Sequence, residues 1–131
     1  MNIRRPLAAV LVALLCSVCL AHSETVRERL KHDSAFRIYS VIFGVTVDAD
    51  SKIQQFRVSK VIDPKSGKTD AVDVKVPKKY VEAARKKFAS KKHDPELKDG
   101  KPVEFFTYYH YSPEHPEVVI TDLDAPIDKQ P

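Results

Sequence analysis

The sequence PKKYVEAARKKFASKKHDPELKDGKPVEFFTYYHY, residues 77–111, contains a helix, a loop and a strand with their boundary signals in place. Pro77 suits the first turn of a helix, where no amide donor is needed. Apolar residues then recur at helical spacing, and we expect the helix to end near Lys92. These apolar residues are Tyr80 or Val81, Ala84 and Phe88. The stretch from Val103 to Tyr111 follows as a strand that contains five aromatic residues.

The loop between this helix and strand contains two turn signals, Asp94-Pro95 and Asp99-Gly100. Leu97 lies between them, and we expect it to pack at the edge of the core. These residues have structural roles, so the loop indicates a fold and not a catalyst.

The helix also carries a basic cluster with two interpretations. Its members are Arg85, Lys86, Lys87, Lys91 and Lys92. A solvated helix face accounts for them. The alternative is attraction to an acidic partner or to an anionic envelope surface.

Upstream of this unit the pattern predicts a β-hairpin. The strand from Phe36 to Val47 alternates, and one of its faces is strongly apolar. The residues of that face are Tyr39, Val41, Phe43, Val45 and Val47. A polar turn at residues 48–51 leads into a second strand, from Ile53 to about Val61. The fold class that we expect is α+β, a small antiparallel sheet in the order strand–strand–helix–strand with one helix packed on one face.

The N-terminus has the pattern of a secretory signal peptide. Arg4 and Arg5 precede an apolar run, from Leu7 to Leu20, that is interrupted by Ser17. We therefore predict cleavage after residue 21 and export to the periplasm, with secretion from the cell as an alternative. An uncleaved membrane anchor is the other interpretation, although the run is shorter than the roughly 20 residues of a spanning helix.

Cleavage would change the composition of the working chain. Both cysteines, Cys16 and Cys19, would leave with the signal, as would Arg4 and Arg5. The basic residues would fall from 22 to 20 against 18 acidic ones, so the formal net charge would drop from +4 to +2. This balance gives no indication of nucleic-acid binding. We expect residues 22–35 to be a lead-in segment that could contain a short helix, residues 36–121 to be one domain and residues 122–131 to be a flexible tail.

Three segments of the chain resemble the TonB C-terminal domain family. They are the hairpin VIFGVTVDADSKIQQFRV (41–58), the helix YVEAARKKFASKK (80–92) and the loop HDPELKDGKPV (93–103). Together they cover about residues 36–111. The resemblance implies a small envelope domain that binds another protein, and it would imply energy transduction if the N-terminal segment stays as an anchor.

The chain also departs from that family's pattern. Ser51 stands where a turn glycine is usual, and Phe88 and Lys92 stand where a tryptophan is more usual. The family's long proline-rich spacer is missing between the signal and the first strand. The domain is therefore expected to occur here without the rest of a full transducer.

We expect no enzyme activity, no metal and no cofactor. The sequence has no Gly-rich phosphate loop, and H-x4-H between His110 and His115 is a weak metal-ligand spacing. A Cys–His pair would not survive cleavage of the signal.

The aromatic strand is the better functional candidate. One helix covers one face of a small sheet, so Phe106 and Tyr108 would be exposed on the other, and Ile38 and Ile42 could join them. The alternative is that the N-terminal helix or a second copy of the chain covers this face. We predict a partner-binding site at Phe106, Tyr108, His110 and Tyr111. The predicted partner is an envelope or outer-membrane protein that adds a strand to the sheet edge. A homodimer is the alternative, and membrane contact is expected only if the signal segment is retained.

Overall fold

The computed structural model describes residues 24–131, so the predicted signal peptide at residues 1–21 lies outside the described residues. The helices are α1 (Val26–His32) and α2 (Lys78–Ala89), and the strands are β1 (Tyr39–Val47), β2 (Ile53–Ile62), β3 (Leu97–Lys98), β4 (Lys101–Pro102) and β5 (Phe105–Tyr111). Short 3-10 turns occur at Pro64–Ser66 and Ile127–Lys129. The predicted α+β class is confirmed. Neither helix of residues 24–131 combines the length and the apolar character needed to cross a bilayer.

The main sheet has three antiparallel strands in the order β2-β1-β5. The central strand, β1, places Val41 opposite Val61 on β2 and opposite Tyr109 on β5. The strands predicted from alternation are therefore present, and each predicted boundary lies within a few residues of the observed one.

The core lies between this sheet and α2. The face of β1 that the alternation predicted is closed off, since Val41, Phe43, Val45 and Val47 are at most 1% exposed. From α2, Tyr80, Ala84 and Phe88 pack into the same cluster. The apolar face that alternation predicts on β1 and the one that helical spacing predicts on α2 thus pack against each other.

The turn between β1 and β2 explains the departure at Ser51. Ser51 adopts a left-handed backbone with φ 64°, a conformation in which glycine is favoured. The Asp48 carboxylate accepts hydrogen bonds from the amides of Asp50 and Lys52, both at 2.9 Å. These bonds hold the turn in place without a glycine.

A second apolar cluster lies around α1 and the end of the chain. Its buried residues are Val26, Phe36, Ile38 and Ile120. Of the two alternatives for Ile38, coverage by the N-terminal helix is the one observed, since Ile38 is 2% exposed. Ile42 is half-buried. The short lead-in helix therefore covers apolar residues that α2 does not reach.

Residues 122–131, expected to be a flexible tail, make specific contacts instead. Arg27 and Asp124 form an ion pair at 2.7 Å, and the amide of Arg27 bonds to the Leu123 carbonyl. The Gln130 side chain accepts from the amides of Thr121 and Asp122, both at 3.1 Å. The end of the chain is thereby attached to α1 and to its own preceding turn.

The position of Leu97 differs from the prediction. β3 and β4 pair only with each other in the described residues, around a turn in which Asp99 and Gly100 both have positive φ. This hairpin is separate from the main sheet, so Leu97 has no apolar layer to enter and is 53% exposed.

Candidate partner-binding edge

Strand β5 lies at the edge of the main sheet. It pairs with β1 along its whole length, from Phe105 opposite Val45 to Tyr111 opposite Tyr39. On its other side, the pairing found within residues 24–131 is a single bridge between His110 and Ile120. The N-terminal part of this edge is therefore not covered by a strand.

The bridge shows which way the backbone of β5 points. The His110 amide donates to the Ile120 carbonyl at 2.9 Å, and the Ile120 amide donates to the His110 carbonyl at 3.1 Å. Backbone groups of alternate residues point to the same side of a strand. The N–H and C=O groups of Phe106 and Tyr108 therefore point away from β1 as well. We call these four backbone groups the open edge.

Two large apolar side chains lie beside the open edge. Phe106 and Tyr108 are each 61% exposed, on the sheet face opposite α2. Their neighbours across the ladder are Gly44, which has no side chain, and Ile42. The exposure predicted for these two residues is confirmed, because α2 covers only the other face.

An ion pair closes one end of this face. Glu104 accepts two hydrogen bonds from the Arg57 guanidinium, from Nη2 at 2.5 Å and from Nε at 3.3 Å. Both side chains meet above Gly44, where a Cβ would lie 2.5 Å from the Glu104 carboxylate. The missing side chain of Gly44 therefore makes room for the ion pair.

His110 lies on the same face but is half-buried. Its Nδ1 is 3.3 Å from the Ser40 hydroxyl, and its ring meets the edge of Tyr108 at 5.7 Å. Burial, aided by the nearby charge of Arg27, lowers the pKa of the His110 imidazole below its usual range. The ring is therefore uncharged at pH 7, and it contacts Tyr108 without placing a charge beside it.

Tyr111 is not part of this surface. It is 4% exposed and packs edge-on against Tyr80 with ring centres 4.8 Å apart. Alternation along β5 places it with Tyr109 on the α2 side. The structure therefore brings Phe106, Tyr108 and His110 together and leaves Tyr111 in the core.

A groove that the sequence did not reveal runs along the other side of β5. It has a volume of about 450 Å³. Its lining residues are Lys87, Phe88, Ser90, Lys91, His93, Tyr109, Thr121 and Pro131. Thr121 follows the bridge residue Ile120, so the groove lies next to the uncovered side of β5. The spacing of the lysines on α2 was visible in the sequence, but their position beside β5 depends on the packing of distant segments.

The described histidines do not form a metal site. His93 stacks on Phe88 with ring centres 3.7 Å apart, and Nε2 of His115 lies 3.3 Å from Arg29. Across residues 24–131, no three His, Cys, Asp or Glu side chains are grouped as metal ligands would be.

No family model, curated protein or solved structure matches this chain. The functional argument therefore rests on the geometry of β5 and its surroundings.

Proposed function

We propose that this protein is a non-catalytic protein-binding module of the cell envelope, and that it takes an extended segment of its partner as a fourth strand beside β5. The observation that carries the proposal is the open edge with Phe106 and Tyr108 exposed beside it. The segment Phe105–Tyr109 contains no charge and no proline. Natural proteins usually protect an edge strand with such residues or with a bulge, so an unprotected edge favours a partner strand.

The location in the envelope is part of the same proposal. It is supported by the signal-like pattern of residues 4–20 and by the resemblance to TonB C-terminal domains. The expected partner is an envelope or outer-membrane protein with an extended segment, and no cofactor is required for this mode of binding.

The test uses the exported chain as bait in extracts of the cell envelope. Tyr108→Ala and Phe106→Ala should each weaken capture of the partner about tenfold, since buried aromatic anchors typically contribute 1–2 kcal/mol or more. Leu97→Ala is the matched control, because Leu97 is exposed to a similar degree but lies on a separate hairpin. Unchanged capture by both aromatic variants would refute a role for this face.

A proline at position 106 tests the backbone part of the proposal. The Phe106 amide points to the open edge, so Phe106→Pro removes a donor that β1 does not use. Proline is tolerated at such edge positions. We expect the variant to fold and to lose the partner more completely than Phe106→Ala does. Equal loss in the two variants would show that strand pairing is not the mode of binding.

Self-association is a second candidate, favoured by the lack of charge in Phe105–Tyr109. Two copies pairing antiparallel along this segment would place no like charges opposite each other. Sedimentation over a wide concentration range should then show a monomer–dimer equilibrium that Phe106→Pro abolishes. A monomer at every concentration would exclude this candidate.

A further inference from the structure

A strand added to β5 would present its side chains to two different surfaces. Alternate residues of a strand point to opposite faces. One set would meet Phe106 and Tyr108, and the other would enter the groove of about 450 Å³ between β5 and the end of α2. The chemistry of this groove therefore restricts the partner sequence.

The groove has an apolar floor and basic residues on its wall. Phe88 and Tyr109 contribute rings, and Lys87 and Lys91 contribute ammonium groups. Within residues 24–131, none of the residues that line the groove is Asp or Glu. Two members of the basic cluster, Lys87 and Lys91, therefore line the groove beside the path of a partner strand.

These two lysines have no acidic partner within residues 24–131. Neither forms an ion pair there, whereas Lys79 of the same helix pairs with Glu117 at 3.2 Å. Partial burial, and the charge of Lys91, lower the pKa of Lys87. A carboxylate that enters the groove would oppose both effects by its attraction for the two ammonium groups.

We propose that the partner segment is an extended acidic peptide in which acidic and apolar residues alternate. Its carboxylates occupy the groove beside Lys87 and Lys91, and its apolar side chains pack on Phe106 and Tyr108. The inference rests on the proposed function, since it assumes a strand beside β5. It adds the sequence pattern by which that strand is selected.

The probes are three synthetic peptides of alternating sequence, in which valine alternates with glutamate, glutamine or lysine. Their dissociation constants are measured by fluorescence anisotropy with the full exported chain. The glutamate peptide should bind at least about fivefold more tightly than the glutamine peptide, in keeping with one or two partly exposed charge pairs. The lysine peptide should bind most weakly, and added salt should reduce the difference between the peptides.

The variant Lys87→Gln, Lys91→Gln should remove the preference for glutamate over glutamine. Lys86→Gln, Lys92→Gln is the matched control, because it removes the same number of charges from the same end of α2 and neither residue lines the groove. Both variants change the charge at the end of α2 similarly. A difference between them in the preference for glutamate is therefore caused by the loss of lysines in the groove. Equal effects of the two would overturn the inference.

Amide hydrogen exchange separates this inference from the proposed function. If bound peptides protect the Phe106 and Tyr108 amides but glutamate and glutamine peptides bind equally well, strand addition stands and the acidic preference is wrong. If no peptide protects these amides at saturation, both the inference and the proposed strand pairing fail.

Discussion

Gly44 is the residue whose lack of a side chain has the clearest consequence. It lies in the central strand, and a Cβ there would come within 2.5 Å of the Glu104 Oε1. The obstructing atom is the end of a flexible side chain, so we expect Gly44→Ala to displace Glu104 from Arg57 and leave the backbone unchanged. The free energy of unfolding should then fall by less than about 1 kcal/mol, the range of a surface ion pair.

Gly44→Ala should change the free energy of unfolding in the opposite direction when the Glu104 side chain has already been shortened. In the background Glu104→Ala, no carboxylate obstructs the new methyl group. Gly44→Ala should then stabilise the fold by about 0.5 kcal/mol, because alanine loses less conformational entropy than glycine in a strand. Urea unfolding of the four chains of this cycle measures the coupling, and equal effects in both backgrounds would contradict the close contact.

Tyr80 contributes a buried hydrogen bond that links α2 to β5. Its hydroxyl donates to the His110 carbonyl at 2.7 Å, and that carbonyl also accepts from the Ile120 amide at 3.1 Å. Tyr80→Phe removes one donor and leaves the other. We therefore expect a loss of only about 1 kcal/mol in the free energy of unfolding. A loss several times larger, measured by urea unfolding at pH 7, would show that the carbonyl depends on Tyr80 alone.

Tyr80 should also make the stability of the fold depend on pH at the alkaline end. Burial raises the pKa of its phenol well above the ordinary value of 10.0. The folded chain then binds this proton more tightly than the unfolded chain does. The contribution is therefore complete below pH 10 and is lost as the pH rises further.

The measurement is the free energy of unfolding as a function of pH for the wild type and Tyr80→Phe. Above pH 10 the wild type should lose stability more steeply than the variant, by up to about 1.4 kcal/mol per pH unit. Tyr109 and Tyr111, whose pKa values burial also raises, contribute to the slope of both proteins. Parallel curves would mean that Tyr80 titrates normally.

At the scale of elements, local patterns predicted the strands and helices but not which elements pack against each other. Alternation in β1 and helical spacing in α2 predicted correctly which faces are buried, because each pattern depends on a single element. The burial of Ile38 and the exposure of Leu97 depend on contacts between elements. Ile38 is buried together with Val26 of α1 and with Ile120, which is distant in the chain. Leu97 is exposed because its hairpin does not join the sheet.

At the candidate site, too, features of a single strand could be predicted and features that depend on neighbouring elements could not. The exposure of Phe106 and Tyr108 followed from alternation and the presence of a single long helix. The open edge and the basic groove required the order β2-β1-β5 and the position of residues 120–121. The sequence predicted that a partner strand would add to an edge of the sheet. Sequence spacing alone does not specify how much of that edge is uncovered or which lysines line a groove beside it.

The contrast between Phe36 and Leu97 leads to a prediction about the two elements that carry them. Phe36 is fully buried in the cluster formed with α1, and the Arg29 guanidinium lies 4.4 Å from the centre of its ring. Phe36→Ala should therefore lower the free energy of unfolding by about 3–5 kcal/mol, as in a core. Leu97→Ala should change it by less than about 0.5 kcal/mol. Comparable losses, measured by urea unfolding, would contradict the assignment of the lead-in segment to a core.

At the scale of the whole molecule, two apolar clusters lie on different sides of the main sheet. One joins the sheet to α2, and the other joins α1 to the end of the chain. The bridge between His110 and Ile120 connects them, because His110 belongs to β5 and Ile120 to the second cluster. Residues 24–35 and 118–131 thus support the sheet without contributing strands to it, and Val119 also packs in the cluster with α2.

Removal of residues 122–131 should loosen these supporting segments and leave the sheet folded. The amides of Val26 and Arg27 would lose their acceptors, the carbonyls of Ala125 and Leu123. A helix of seven residues is unstable without tertiary contacts, so α1 should unfold locally. Hydrogen exchange should show fast exchange across α1 and retained protection in β1. The control is Asp124→Ala, which removes only the exposed ion pair with Arg27 and should leave α1 protected. Loss of protection in β1 together with α1 would show instead that the two clusters fold as one cooperative unit, with the end of the chain as an essential part.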